Sequence, residues 1–73
     1  MSELRLSKSD QMDFWMLLGT YHRQNPSQRD GQAMWNTLRL YWPKLAEELH
    51  GTEFDPFYDD SKIGAFLERI MPS

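Results

Sequence analysis

The residues of this chain with chemical potential crowd into one short stretch, EFDPFYDDSK, where Glu53, Asp55, Asp59 and Asp60 are interleaved with Phe54, Phe57 and Tyr58. Clustered carboxylates serve calcium binding, glycoside hydrolysis or helix capping, and spacing separates the three. A calcium loop alternates oxygen ligands around a central glycine and closes on a glutamate, a pattern that Asp55, Asp59 and Asp60 lack. Paired carboxylates in a glycosidase need a cleft that holds them at a set separation, and a chain of 73 residues has little volume for one. Capping requires only backbone donors. Asp55-Pro56 fits a helix start, with the aspartate accepting amide hydrogens, and Asp59, Asp60 or Ser61 fits the start of the next helix, with Phe57 and Tyr58 inserted between elements.

The remaining reactive side chains form no recognisable catalytic group. His22 and His50 have no nucleophile near them in sequence, Ser7, Ser9 and Ser27 sit where caps belong, and no glycine-rich phosphate loop is present. Cysteine is absent, so thiolate chemistry, disulfides and cysteine-built metal centres are excluded. The expectation is a non-enzyme with no cofactor and no bound metal.

Charge narrows the partners. The formal net charge is −3, and it arises beyond Gly51, where Lys62 and Arg69 are outweighed by Glu53, Asp55, Asp59, Asp60 and Glu68. That balance makes nucleic acid an unfavoured partner; the basic alternative rests on Arg23, Arg29 and Arg39 as a phosphate-binding patch. A helix-turn-helix built across Trp42-Pro43 would present Glu47 and Glu48 beside Lys44, a poor match to a major groove. The longest uncharged apolar run, Phe14 to Gly19, is far short of a membrane span, and the N-terminus has no apolar signal core, so a cytoplasmic protein without a membrane partner is expected.

The elements that position these groups read as helices throughout. Helix 1 is expected from near Ser9 to His22 or Arg23, capped by Ser7 or Ser9, with Asp10 and Asp13 against its positive end. Met12, Trp15, Met16 and Gly19 form one apolar stripe, and Phe14, Leu17, Leu18 and Tyr21 broaden it, which predicts burial of more of the circumference than in a simple surface helix. After Asn25-Pro26, Ser27 is expected to cap helix 2 with Asp30 as its reciprocal partner, and Gly31 to mark a close approach of helix 1. Met34, Trp35, Leu38, Tyr41 and Trp42 recur at helical spacing. Pro43 ends or kinks the pattern near Tyr41, and Leu45, Ala46 and Leu49 continue it to a left-handed stop at Gly51. Ile63, Phe66, Leu67, Ile70 and Met71 define the last helix, ended by Pro72.

Together these segments predict an all-α fold: a small bundle of three to four helices with a break or kink near Pro43, forming a single domain over residues 1–73 with residues 1–7 flexible. A chain this short buries only about 60% of its extended surface, so its many aromatic and methionine side chains serve either the core or a partner.

The segment from Asn25 to Leu67 resembles a group of short proteins of bacteria and their phages with no assigned activity. The shared residues are Arg29-Asp30-Gly31-Gln32, Pro43-Lys44-Leu45-Ala46, Gly51-Thr52, Asp55-Pro56-Phe57-Tyr58-Asp59-Asp60 and Ile63. The resemblance implies an intracellular bacterial or phage setting and carries no catalytic role. The functional expectation is therefore a small protein-interaction module, a phage-related modulator of a host factor, with an unidentified protein partner. Its candidate contact residues are Trp35 and Trp42 as apolar anchors and Tyr58, Asp59 and Asp60 as an aromatic flanked by steering charge. The alternatives are a homo-oligomeric structural protein, such as a homodimer, and a weak nucleic-acid-binding accessory using Arg23, Arg29 and Arg39.

Overall fold

A computed structural model of the chain describes residues 5–71, and every regular element among them is helical. Four α-helices follow in order: α1 (Lys8–Gln24), α2 (Asp30–Tyr41), α3 (Pro43–Leu49) and α4 (Ile63–Ile70), the last entered through one 3₁₀ turn, Asp60–Lys62. The all-α bundle with its break at Pro43 is the expected fold class.

Local chemistry explains most boundaries. Ser7 caps α1, its hydroxyl accepting from the Asp10 amide at 3.2 Å, and the Asn25 side chain closes the other end by donating to the Tyr21 carbonyl. Between α2 and α3 the backbone of Trp42 leaves the helical region, at φ −135° and ψ 63°, and Pro43 then occupies the first position of α3. Pro43 has no amide to donate and its ring would clash with the preceding turn, so two helices form and not one bent helix. Gly51 has φ +75°, the left-handed conformation that stops α3 just past its end.

One expectation about boundaries changes. The cap of α2 is Arg29, two residues beyond Ser27; the Gln32 side chain accepts from the Arg29 amide at 3.2 Å. Ahead of α1, Leu6 is buried and its amide donates to the Ile70 carbonyl at 2.7 Å, which joins this residue to the end of α4. Residues 1–4 and the expected stop at Pro72 lie outside the described residues.

The core is aromatic at its centre. Phe14 of α1, Trp35 of α2 and Phe66 of α4 stack around one another, Phe66 lying 6.5 Å from Phe14 and 6.1 Å from Trp35 between ring centroids. Leu38, Leu45, Ala46, Leu49 and Ile70 complete it. Thr37, the one buried polar side chain among the described residues, donates to the Ala33 carbonyl at 2.8 Å, which offsets the cost of burying its hydroxyl.

The orientation of α1 reverses the expected stripe. Phe14 is fully buried with Leu18 packed behind it, whereas Met12, Trp15, Met16 and Gly19 all face solvent. Two apolar faces compete on this helix, and the bundle takes the Phe14 face because that ring reaches both Phe66 and Trp42.

Candidate functional site

The carboxylate-rich stretch is bound up with the start of α2. Asp60 Oδ1 accepts from the Gly31 amide at 3.1 Å and lies 3.4 Å from the Arg29 guanidinium, whose other terminal nitrogen donates to the Phe57 carbonyl at 2.8 Å. A carboxylate from a distant segment thus satisfies a free amide in the first turn of α2, where the helix dipole also favours negative charge. Gly31 makes the approach feasible: a Cβ there would collide with the Pro56 carbonyl and come within 2.6 Å of Asp60 Oδ1. The close approach expected at Gly31 is real, but the neighbour is the Pro56–Asp60 turn and not helix 1.

Asp55 and Asp59 act within the same turn. Asp55 accepts from the Gly51 amide at 3.0 Å and from the Phe57 amide at 3.0 Å, so it folds the loop over the end of α3 and Pro56 does not begin a helix. Asp59 caps the 3₁₀ turn, accepting from the Ser61 amide at 2.9 Å and the Ser61 hydroxyl at 2.6 Å. Those bonds, the hydroxyl's first, hold the Asp59 carboxyl below its ordinary range, with small further help from the Lys62 and Arg29 charges. Asp59 and Asp60 are both expected to cap the last helix; Asp59 instead caps the 3₁₀ turn that leads into α4, and Asp60 serves α2. Phe57 is half-buried against the core, whereas Tyr58, expected to fill the gap, is 85% exposed with its ring edge-to-face on Phe57.

The two tryptophan anchors differ in exposure, Trp35 being buried and Trp42 lining a surface groove with part of its ring. Trp35 is 2% exposed in the centre of the bundle, and Trp42 is partly buried between Phe14 and Tyr41. The interior claims Trp35 because its ring completes the Phe14–Phe66 cluster. The exposed tryptophan is Trp15, at 46%, and with Met12 at 68% and Met16 at 70% it forms an apolar ridge along α1. Tyr41, half exposed at the end of α2, borders that ridge across a shallow groove lined by Asp13, Met16, Leu17, Tyr41 and Trp42. A second depression on the same helix lies around Gly19, between Trp15 and Met16 on one side and Thr20 and Arg23 on the other.

The three arginines of the basic alternative occupy different settings. Arg29 is tied into the joint with Asp60 and Phe57. Arg23 borders the Gly19 depression, while Arg39 lines a groove with Trp35, Pro43, Ala46, Glu47 and His50. His22 donates to the Gln28 carbonyl at 3.1 Å near Asp30, and His50 packs its ring against Trp35, so the two imidazoles serve separate junctions. Among the described residues, no three histidine or carboxylate side chains gather where a metal ion could be held. Nor is any helix among them long and apolar enough to cross a membrane.

No protein-family model, curated protein or solved structure significantly matches the chain.

The exposed apolar face of α1 is legible in the sequence only in part. Its residues stood out as an apolar stripe, but the amphipathic pattern of a helix with two apolar faces does not say which one turns inward.

Proposed function

We propose that the chain is a small protein-interaction module whose contact face is the outer side of α1. The observation that carries this reading is the row of large apolar side chains, Met12, Trp15 and Met16, left in solvent although the chain is short of core. Methionine and tryptophan are favoured at protein contacts, the first because it adapts its shape and the second because it offers a large area with few rotors. Asp13 and Arg23 border the ridge and supply the polar rim that orients a partner. The bacterial or phage setting implied by the Gly-Thr…Asp-Pro-Phe-Tyr block suits a cytoplasmic modulator of a host factor. The aromatic-acid turn at Tyr58, Asp59 and Asp60 is the lesser candidate, since its carboxylates already accept from Ser61, Gly31 and Arg29.

A photoreactive phenylalanine analogue placed at Met16, and in a control at the exposed Glu68, tests the proposal inside bacterial cells. Light-dependent adducts to protein are expected from position 16 and not from position 68. Absence of adducts at position 16, or equal labelling from both positions, overturns it.

A further inference from the structure

We infer that the partner of α1 is α1 of a second copy of this chain, packed antiparallel about a two-fold axis that crosses the exposed face midway between the levels of Met16 and Gly19. The inference rests on the reading of α1 as a contact face and adds the identity of what covers it.

Shape is the first argument. Gly19 lies in the interior of α1, where glycine weakens a helix relative to alanine, yet a Cβ at that position would meet nothing within 4 Å. Among the described residues nothing occupies the space that the missing side chain leaves. Its effect is to open the depression between Trp15 and Thr20, one helical turn from the projecting Trp15 and Met16. A knob and a hole one turn apart on one face are self-complementary under an antiparallel two-fold, because the operation brings residue 16 of one helix level with residue 19 of the other. Trp15 and Gly19 also share a flank of the face, and an antiparallel two-fold keeps equal flanks together, so each indole covers the partner's glycine.

Charge is the second argument. The N-terminal half of the exposed face carries Lys8 and Asp13 and the C-terminal half carries Arg23, all exposed, and among the described residues none of the three takes part in an ion pair; with residue 16 level with residue 19, Lys8 faces the level of Ser27, beyond the end of the partner helix. Antiparallel pairing with residue 16 level with residue 19 sets Arg23 beside Met12 and Asp13 of the other copy, twice over by symmetry. It also opposes the two helix dipoles favourably. A parallel pair would instead set Asp13 against Asp13 and Arg23 against Arg23.

Sedimentation equilibrium on the purified chain, from low micromolar to about 1 mM, reads the association. A contact limited to one helix face predicts a weak dimer of the 8.7 kDa chain that dissociates within this range of concentration. Gly19→Leu, which fills the hole, and Met16→Glu, which charges the knob, are each expected to leave a monomer with unchanged circular dichroism. Asp13→Lys should weaken association about tenfold by setting like charges together, and Asp13→Lys with Arg23→Asp should restore it. A chain that stays monomeric at every concentration overturns the self-pairing, and so does a dimer indifferent to Gly19→Leu and Met16→Glu. A double charge reversal that fails to restore association overturns the antiparallel arrangement. Adduct mass from the Met16 photoprobe keeps this result separate from the broader proposal: adducts of other masses with a monomeric pure chain retain the interaction reading and reject the second copy as the partner.

Discussion

At Gly31 the size of a single hydrogen decides whether two distant segments can meet. The Pro56 carbonyl and the Asp60 carboxylate occupy the space a Cβ would need, and one of them is backbone with little freedom to yield. Gly31→Ala is therefore expected to destabilise by about 2 kcal/mol, read as a lowered denaturant midpoint with an unchanged slope. Asp60→Ala removes the acceptor for the Gly31 amide and the partner of Arg29, with an expected cost of about 1 kcal/mol in the same assay. Asp59 yields a prediction in pH. Its folded carboxyl lies below its unfolded value because Ser61 bonds to the charged form, so its contribution to stability is present above the unfolded value and is lost as pH falls through the folded one. Carboxyl titration by nuclear magnetic resonance should show Ser61→Ala moving Asp59 back toward the ordinary range.

Helix ends in this protein are stabilised by residues from other elements as much as by their own. Asp60 serves α2 across 29 residues of chain, Arg29 reaches the carbonyl of Phe57, and Leu6 hangs on the last carbonyl of α4. The joint between α2 and the 53–62 stretch is thus cooperative: loosening either side frees donors on the other. By contrast, the middle of α1 carries a glycine whose missing side chain leaves a space that nothing among the described residues occupies. Gly19→Ala should raise the stability of the monomer by about 0.5–1 kcal/mol at concentrations too low for association, measured by chemical unfolding. An unchanged or lowered midpoint would show that the glycine has a use within the isolated chain.

At the scale of the whole molecule, a small aromatic core joins α1, α2 and α4. Phe66 touches both Phe14 and Trp35 and is fully buried, so Phe66→Ala should cost about 3 kcal/mol or more, a large share of the margin of so short a chain. Tyr58→Ala makes the opposite case. Its ring touches Phe57 and is otherwise in water, and its loss should change stability by less than about 0.5 kcal/mol. The molecule therefore divides into an interior that tolerates no truncation and an exposed α1 ridge where substitution should alter association while leaving the unfolding midpoint in place.

The amino-acid sequence by itself determined the helices, because periodicity, the Ser7 cap, the missing amide of Pro43 and the left-handed Gly51 all act within a few residues of where they stand. It also determined the Ile63–Met71 face, since only one apolar stripe exists on that helix. Tertiary structure alone decided three matters. It chose Phe14 over Met12 and Met16 as the buried side of α1, because competing apolar faces are ranked by what they meet and not by their own hydrophobicity. It drew Trp35 inside and left Trp15 outside for the same reason. And it assigned Asp60 to α2 in place of α4, because a carboxylate bonds to whichever unsatisfied amide the fold brings within reach, and that distance is a property of the assembled bundle.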